Sequence, residues 1–239
     1  MEPLTWTGSL GAWLDPILAV AAALFALALV LSLLARLLPA AQPQVNADGT
    51  LTLARGPRAL ADLALRGTGL LLLLVLLAYL LGGLVMPWGE AGIVGAVSRR
   101  FLPVWIALAL TFAVSIAFRH RLGLYGRLFD STVGMIGFGL VMFWVYTAVF
   151  TGVFGLIATH EPLAAVSGLK NKAPGVPVPG AEAWVPGAHY LLGGDNLARD
   201  VFSRMVHGSW IVIQIAPLAT IFAFMVGIVL GLPAGYRGG

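Results

Sequence analysis

The amino-acid sequence predicts an all-α fold: a polytopic transmembrane helical bundle with about five spanning helices and a short amphipathic helix on the outer side. Three observations predict it. Charged residues make up 10% of the 239 residues, hydrophobic residues make up 59%, and the mean hydropathy is +0.94. A soluble domain carries roughly 25% charged residues, so this chain has too few charges to cover a water-facing surface. Lipid must therefore surround most of it.

Five apolar runs are long enough to cross a bilayer. A helix needs about 17–25 residues to span about 30 Å of hydrocarbon. Strands are excluded because an open strand would leave its backbone N–H and C=O groups without hydrogen bonds in lipid. The predicted spans are residues 16–38, 68–86, 101–118, 132–159 and 209–232.

The arginines predict the orientation of these spans. Residues 1–15 contain no Lys or Arg, whereas arginines follow the first span and also lie between the third and fourth spans. Because basic residues favour cytoplasmic loops, the N-terminus is predicted to lie outside. Arg99 and Arg100 then fall on the outer side and oppose this scheme. The net charge of +4 is spread over loops without forming a basic stripe, so no nucleic-acid partner is expected.

A long segment, residues 160–208, separates the last two predicted spans and is predicted to lie outside. Its Pro- and Gly-rich part, residues 173–187, predicts an extended connector. Residues 195–208 have an apolar stripe opposite charged residues, which predicts a short amphipathic helix along the membrane surface.

Two acid–base pairs lie four residues apart in that predicted helix. Asp195 would pair with Arg199, and Asp200 would pair with Arg204. Such pairs add roughly 0.2–0.5 kcal/mol each to a helix. We expect these four residues to hold the outer helix against the spans or against a partner, either as structural salt bridges or by direct contact with a ligand.

The chain carries few marks of catalysis. It has no cysteine, which excludes thiol catalysis, thiolate metal sites and disulfides. A phosphate-binding loop of the G-x-x-x-x-G-K-[ST] type is absent from the sequence, so nucleotide hydrolysis is not expected of this chain. The run His160-Glu161-Pro162 begins like a zinc-binding helix but lacks the second histidine, and it is predicted to be a loop. No cofactor and no metal site are predicted.

The predicted spans hold no ionisable side chain away from their ends, which argues against a proton-driven pump. Gln214 is the most polar side chain in them, and it either bonds to another helix or lines a pore. The last span carries a row of small residues at four-residue spacing, which allows close helix packing or a moving joint. These residues are Gly227, Gly231 and Gly235.

The C-terminal part of the chain carries the most specific pattern. Residues 189–208 read HYLLGGDNLARDVFSRMVHG, and residues 227–239 read GIVLGLPAGYRGG. Together they resemble the signature of the permease subunits of dipeptide, oligopeptide and nickel ABC importers. The sequence departs from that pattern at Gly194, where Thr is usual, at Ala198, where Gly is usual, and at Ser209-Trp210.

The resemblance implies a membrane-spanning permease subunit of a binding-protein-dependent importer for peptides or similar small solutes, located in the plasma membrane. It also implies three kinds of partner: a second permease subunit, separate ATPase subunits that hydrolyse ATP, and an extracytoplasmic solute-binding protein. Residues 131–239 would be the start of the permease core, and residues 1–130 an N-terminal membrane extension with three spans. Because members of the family continue with further spans, the chain is expected to be a partial permease.

Two other functions stay open from the sequence. One is a non-transporting membrane scaffold or assembly protein. The other is a membrane enzyme, which would need a polar catalytic cluster near the end of a span, and only Arg119, His120 and Arg121 come close to one. Nickel is a less expected cargo than peptide because the spans offer neither a histidine cluster nor a thiolate.

Overall fold

The computed structural model describes residues 2–37, 44–45, 51–52, 56–87, 90–121, 123–181, 185, 187–236 and 238. The α-helices within them are α1 (Gly8–Ala35), α2 (Pro57–Val85), α3 (Gly92–Arg100), α4 (Leu102–Ala117), α5 (Leu124–Arg127), α6 (Thr132–Gly152) and α7 (Val201–Tyr236). The strands are two-residue pieces that form two antiparallel hairpins, β1 (Gln44–Val45) with β2 (Leu51–Thr52) and β3 (Val176–Pro177) with β4 (His189–Tyr190). The predicted all-α class is confirmed.

Four helices, α1, α2, α6 and α7, are long and apolar enough to cross a membrane. The consecutive helices α3 and α4 add a fifth crossing if they form one span, although they are bent by 59°. Pro103 in the first turn of α4 explains this break, because its ring prevents α3 from continuing as one straight helix. The prediction of an integral membrane protein with about five spans is confirmed.

Four predicted boundaries of the spans are wrong. Two of them are the starts of the first two spans, since α1 begins at Gly8 and α2 at Pro57. The other two lie at the end of α6 and the start of α7.

The fourth span ends at Gly152, because residues 153–159 leave the helical conformation and Gly155 has a positive φ of 64°. The last span begins at Val201, eight residues before its predicted start at Ser209. Residues 153–159 thus leave the fourth predicted span, and residues 201–208 join the last helix. The number of spans is unchanged.

The separate amphipathic helix predicted over residues 195–208 is also wrong. Its first six residues are not helical, since Ala198 has a positive φ of 61° and neighbouring residues form β-bridges. The remaining residues are the first two turns of α7 and run without a break into its membrane-spanning part. Phe202 and Val206 are buried in these turns, whereas Met205 is exposed.

The extended connector predicted over residues 173–187 is part of a folded segment. The strand β3 lies in it and pairs antiparallel with β4 just beyond it. Only Val176 and Pro177 of the described stretch form a strand, and turns at residues 174–175 and 179–180 flank it, so the stretch is not a continuous extended connector. Residues 182–184 and 186 of this prediction lie outside the described residues.

Two compact units make up the chain: residues 5–96, and residues 1–4 together with residues 97–239. In the first unit, α1 and α2 pack against each other over their length. The division predicted at residue 130 concerns the extent of the family resemblance, and it stays a prediction.

Two acids at exposed positions, Asp15 and Asp62, link α1 to α2 through side-chain hydrogen bonds. The hydroxyl of Tyr79 donates a hydrogen bond to Asp15, and Ser32 Oγ donates to Asp62 Oδ1 at 3.0 Å. The first contact lies early in α1 and late in α2, and the second lies at the opposite ends, so the two helices are antiparallel. Both helices begin before the predicted spans at residues 16–38 and 68–86. They therefore include Asp15 and Asp62, which lie outside those spans.

Arg58 caps the C-terminal end of α1. Its Nε and Nη2 donate to the carbonyls of Ala35 and Arg36 at 3.2 and 3.0 Å, which satisfies oxygens that the end of a helix leaves without intrahelical partners. Between the polar contacts the interface is apolar, with Ala21 and Val75 buried in it. These polar groups of the helix pair thus have partners within it, as a lipid environment favours.

In the second unit, aromatic rings pack between α4, α5 and α6. The rings of Phe112, Tyr125, Phe129 and Phe138 form edge-to-face pairs with centroids 5.3–6.0 Å apart. Such pairs are favourable because the positive edge of one ring meets the negative face of the next. The hydroxyls of Tyr125 and Ser115 lie 2.9 Å apart, which gives the buried end of the cluster a hydrogen bond.

α6 and α7 cross where Gly152 meets Trp210. The indole ring lies directly against Gly152, so that an added Cβ would overlap the ring atoms. Phe101 packs in the same unit against Phe143 on α6 and Phe202 on α7, with ring centroids 5.2 and 6.0 Å away. The large side chain of Trp210, one of the departures from the family pattern, is thus accommodated by a glycine on the facing helix.

We predict that Gly152→Ala weakens this crossing. The added methyl group overlaps the indole of Trp210, and such overpacking typically costs about 1–3 kcal/mol. Gly137→Ala is the matched control, because Gly137 lies on α6 with no neighbouring atom within 4 Å of the added Cβ. Thermal unfolding in detergent should show a lower midpoint for Gly152→Ala alone, and equal midpoints for the two variants would contradict the packing described.

Candidate functional site

The described residues of 153–200, which leave out 182–184 and 186, lie between α6 and α7 and fold into a small lobe. The two halves of the lobe are joined by backbone hydrogen bonds, among them one from the N–H of Val166 to the carbonyl of Ala198 at 3.0 Å. Leu169, Tyr190 and Ala198 form its buried apolar core. The hydroxyl of Tyr190 also donates to the carbonyl of Ala198 at 3.3 Å. The lobe is therefore an ordered element rather than a loose loop.

The helix α7 begins directly after Asp200, whose side chain caps it. Oδ1 accepts a hydrogen bond from the N–H of Phe202 at 3.2 Å, and Oδ2 accepts one from the N–H of Ser203 at 3.3 Å. Asp is among the preferred residues at this position because its carboxylate satisfies N–H groups that the helix leaves unpaired. Its negative charge is also favoured at the positive end of the helix dipole.

The same carboxylate binds the residues that end the segment after α6. Thr159 Oγ1 and Ser203 Oγ donate to Asp200 Oδ2 at 2.8 and 2.6 Å. His160 Nδ1 lies 3.1 Å from the same oxygen, and its Nε2 donates to the carbonyl of Gly187 at 2.8 Å. Ser203 Oγ in turn accepts from the N–H groups of Thr159 and His160 at 3.0 and 2.9 Å. We refer to Asp200, Thr159, His160 and Ser203 as the Asp200 cluster.

Asp200 keeps its charge although it is fully buried, with a relative exposure of 0%. Burial would raise the pKa of its carboxyl, but the hydrogen bonds from His160, Ser203 and Thr159 outweigh this effect and lower the pKa below its usual value. Removing one partner from such a buried charge leaves its desolvation uncompensated, which is costly. The cluster therefore locks the end of the α6 segment to the start of α7.

The Asp200 cluster contains Ser, His and Asp side chains but lacks the order of a catalytic triad. In a triad the histidine lies between the acid and the nucleophile. Here Asp200 lies between His160 and Ser203, and Ser203 donates its proton to the carboxylate. The outer nitrogen of His160 is bound to a backbone carbonyl. The arrangement therefore stabilises a charge and activates no nucleophile.

A second carboxylate, Asp195, organises the surface of the lobe. Its Oδ1 accepts from the N–H groups of Leu197 and Arg199 at 2.8 and 2.9 Å, and its Oδ2 accepts from Arg199 Nε at 2.9 Å. Partial burial opposes the effect, but the backbone and guanidinium of Arg199 and the N–H of Leu197 lower the pKa of Asp195 to about 2. Arg204 also forms an ion pair with this carboxylate.

The structure changes one of the two predicted acid–base pairs. Asp195 pairs with Arg199, as predicted, but the pair lies in a turn rather than in a helix. Asp200 does not pair with Arg204, because the Asp200 carboxylate is buried in its cluster and the guanidinium of Arg204 reaches Asp195 instead. Asp195, Arg199 and Arg204 thus form one network of ion pairs. Asp200, the fourth predicted charged residue, belongs to the buried Asp200 cluster.

Two departures from the family pattern have structural reasons. An added Cβ at Gly194 would overlap the carbonyl of Leu169, so the usual Thr cannot fit at this position. Ala198 has a φ of 61°, a conformation in which glycine is favoured and alanine costs about 1–2 kcal/mol. Gly194 thus allows the close approach of the Leu169 carbonyl. Ala198 is locally strained, because its positive φ favours glycine.

The predicted glycine row lies on an open face of α7. An added Cβ at Gly227, Gly231 or Gly235 has no neighbouring atom within 4 Å, and Gln214 is exposed on the same helix. Among the described residues, no other helix packs against this row. Its role in helix packing stays a prediction, as does the choice between a helix contact and a pore contact for Gln214.

The basic residues proposed for a catalytic cluster lie on an exposed turn. Arg119, His120 and Arg121 form a single 3-10 turn after α4, and Arg119 Nη1 lies 3.9 Å from Asp130 Oδ1. Within the part of the chain that the structure describes, no group of three or more His, Asp or Glu side chains could hold a metal ion.

Three curated proteins are similar to parts of this chain. It is 39% identical over 54 residues to the dipeptide transport system permease protein DppC of Bacillus subtilis. It is 35% identical over 85 residues to DppC of Alkalihalophilus pseudofirmus, and 39% identical over 56 residues to the di/tripeptide transport system permease protein DppC of Pseudomonas aeruginosa. No protein-family model matches the chain, and no solved structure matches it.

The similarity is partial on both sides. The matched residues make up 23%, 36% and 23% of this chain in the three comparisons. The chain spans about a quarter or less of the length of these relatives, at 17%, 26% and 18%. Part of the chain is thus similar to permease subunits of peptide transport systems, in agreement with the resemblance read from the sequence.

Most of the Asp200 cluster is not predicted from the sequence. The predicted motifs give no role to Thr159 or Ser203, and His160 stands out only as part of an incomplete metal motif. Thr159 and His160 are separated from Asp200 by about 40 residues, so no local spacing links them. Ser203 was the one available signal, because a serine three residues after a helix-capping aspartate is positioned to bond back to it.

We predict that Asp200→Asn destabilises the protein by about 2–3 kcal/mol, since it replaces a charged acceptor of several hydrogen bonds by a neutral amide. Glu161→Gln is the matched control, because Glu161 is an exposed carboxylate in the same lobe. Unfolding by denaturant in detergent should show a lower midpoint for Asp200→Asn and little change for the control. A variant as stable as wild type would mean that the cluster does not hold the lobe.

We also predict that stability falls as the pH falls below about 4. The pKa values of Asp195 and Asp200 are lowered in the folded state, so between their folded values and about 3.9 the unfolded chain binds more protons. Their contribution is complete above about pH 4 and is lost toward about pH 2 for Asp195. Thermal midpoints measured across this range should fall less for Asp195→Asn than for wild type or Glu161→Gln. Parallel curves would contradict the assignment.

Proposed function

We propose that this chain is a membrane-spanning permease subunit of a binding-protein-dependent ABC importer for peptides or similar small solutes, and that it forms part of the translocation pathway. The partial similarity to dipeptide permeases supports the transport class. ATP hydrolysis is assigned to separate ATPase subunits, in keeping with a sequence that carries no phosphate-binding loop.

The observation that carries the proposal is the position of the motif residues. Asp195, Arg199 and Asp200 belong to the stretch that resembles importer permeases, and they fix the lobe to the start of α7. A stretch that only connected two spans would not need a fully buried carboxylate with partners on both of its sides. A rigid junction of this kind suits a subunit whose outer segment must transmit contact with a partner to a spanning helix.

The proposed function also implies a membrane location, an orientation and partner proteins for the chain. The chain would lie in the plasma membrane with its N-terminus and the lobe outside, where a solute-binding protein delivers the substrate. A second permease subunit would complete the pathway, and the arginine-containing turns after α1 and α4 would face the cytoplasm. Arg204, whose side chain is 42% exposed in the first turns of α7, is our choice for a residue that contacts a partner. Arg199, whose side chain is 19% exposed in the lobe, is our choice for one that stabilises that contact.

A membrane enzyme is the weaker alternative on geometric grounds. The Ser, His and Asp side chains of the Asp200 cluster are arranged to satisfy one another rather than to attack a substrate. The basic turn at Arg119 is exposed and offers no paired base and nucleophile. A non-transporting scaffold would keep the same junctions but would not support uptake, so only a transport measurement separates it from a permease.

The experiment is uptake of labelled di- to hexapeptides in cells that express the chain with its companion permease, ATPase and binding protein. Deletion of the chain should abolish ATP-dependent uptake, and Arg204→Ala should lower it at an unchanged protein level in the membrane, with Glu161→Gln as the control. Unchanged uptake after deletion would refute the proposal. Loss of the partners from the membrane without any peptide uptake in the intact system would instead indicate a scaffold.

A further inference from the structure

Residues 2–4 bind to the lobe, although more than 170 residues separate them in sequence from the lobe residues that they contact. The N–H of Leu4 donates to the carbonyl of Gly175 at 2.9 Å, and His189 Nε2 donates to the carbonyl of Glu2 at 3.2 Å. These two hydrogen bonds join backbone at residues 2–4 to both sides of the β3–β4 hairpin. They lie within one compact unit, which contains residues 1–4 and 97–239.

The backbone conformation of Gly175 and its lack of a side chain allow this contact. Its φ of 80° is a conformation that glycine adopts without strain, and an added Cβ would overlap the carbonyl oxygen of Leu4. Its own N–H donates to the carbonyl of Tyr190 at 2.9 Å, so the residue links the N-terminal backbone to β4. A glycine at this position lets three backbone segments approach one another closely.

His189 is buried at the same place. Its relative exposure is 5%, and burial lowers the pKa of its ring, against the opposing effect of the Glu2 carbonyl. A buried imidazole N–H needs an acceptor, and the carbonyl of Glu2 supplies one. The first residues of the chain therefore complete the hydrogen bonding of the lobe.

We propose that residues 2–4 form a clasp on the lobe, through Gly175 and His189, which fixes the N-terminus and the lobe on the same face of the membrane. An even number of crossings must then separate Leu4 from Gly175. The helices α1, α2 and α6 supply three, so the bent pair α3 and α4 crosses the membrane as one span and is not a re-entrant hairpin. This inference does not rest on the proposed function, and it holds for either orientation of the chain.

The crossing number is tested by labelling single cysteines, which is direct because the chain has no cysteine of its own. Pro3→Cys, Leu163→Cys and His120→Cys are each treated in intact cells with a membrane-impermeant maleimide; Leu163 is 76% exposed on the lobe. Residues 3 and 163 should label from one face of the membrane, and residue 120 from the other. Labelling of residues 3 and 163 from opposite faces, or of residues 120 and 163 from the same face, would overturn the proposal.

The clasp itself is tested by hydrogen exchange at the amide of Leu4 in the full chain. Gly175→Ala removes the room for the Leu4 carbonyl, whereas Gly180→Ala introduces the same strain at a φ of 78° with no neighbouring atom within 4 Å. We expect the Leu4 amide to be protected in wild type and in Gly180→Ala, and to exchange at least about tenfold faster in Gly175→Ala, the ratio that corresponds to about 1.4 kcal/mol. An unprotected amide in wild type, or equal protection in both variants, would overturn the clasp.

Discussion

The buried carboxylate of Asp200 is the interaction on which the second compact unit depends. It caps the first turn of α7, and it accepts hydrogen bonds from Thr159 and Ser203. A charge with no exposure is tolerated only where every lone pair finds a donor, so the surrounding backbone has little freedom. This side chain thereby links the segment after α6 to the start of α7, in addition to the backbone hydrogen bonds within the lobe.

Lipid imposes the corresponding constraint on the first unit. In α1 and α2, Asp15 is bound by Tyr79, and Asp62 is bound by Ser32. Arg58 uses its guanidinium on the carbonyls that end α1. These polar contacts lie within the helix pair, where lipid favours polar groups that have protein partners. Between these hydrogen bonds, α1 and α2 are held together by close packing of apolar side chains.

How far the sequence predicts this structure depends on whether the signal is local. The apolar runs predicted the four spanning helices and the bent pair α3 and α4, because the length and composition of a run are sufficient to identify a helix in lipid. The helix predicted over residues 195–208 was wrong, because side-chain periodicity does not reveal that Ala198 has a positive φ. The pairing of Arg204 with Asp195 instead of Asp200 depends on the partners of Asp200, and Thr159 and His160 are contacts that sequence spacing cannot supply.

The departures from the importer-permease pattern are consistent with one another in this fold. At position 194 the close approach of the Leu169 carbonyl excludes any side chain, so glycine takes the place of the usual Thr. At position 198 the chain keeps the backbone conformation that suits the usual Gly, although alanine occupies it. The carbonyl of Ala198 accepts from both Val166 and Tyr190, and these two bonds hold the residue in that conformation. The hydrogen bonds of the Ala198 carbonyl therefore hold a positive-φ backbone conformation at this position although the residue is not glycine.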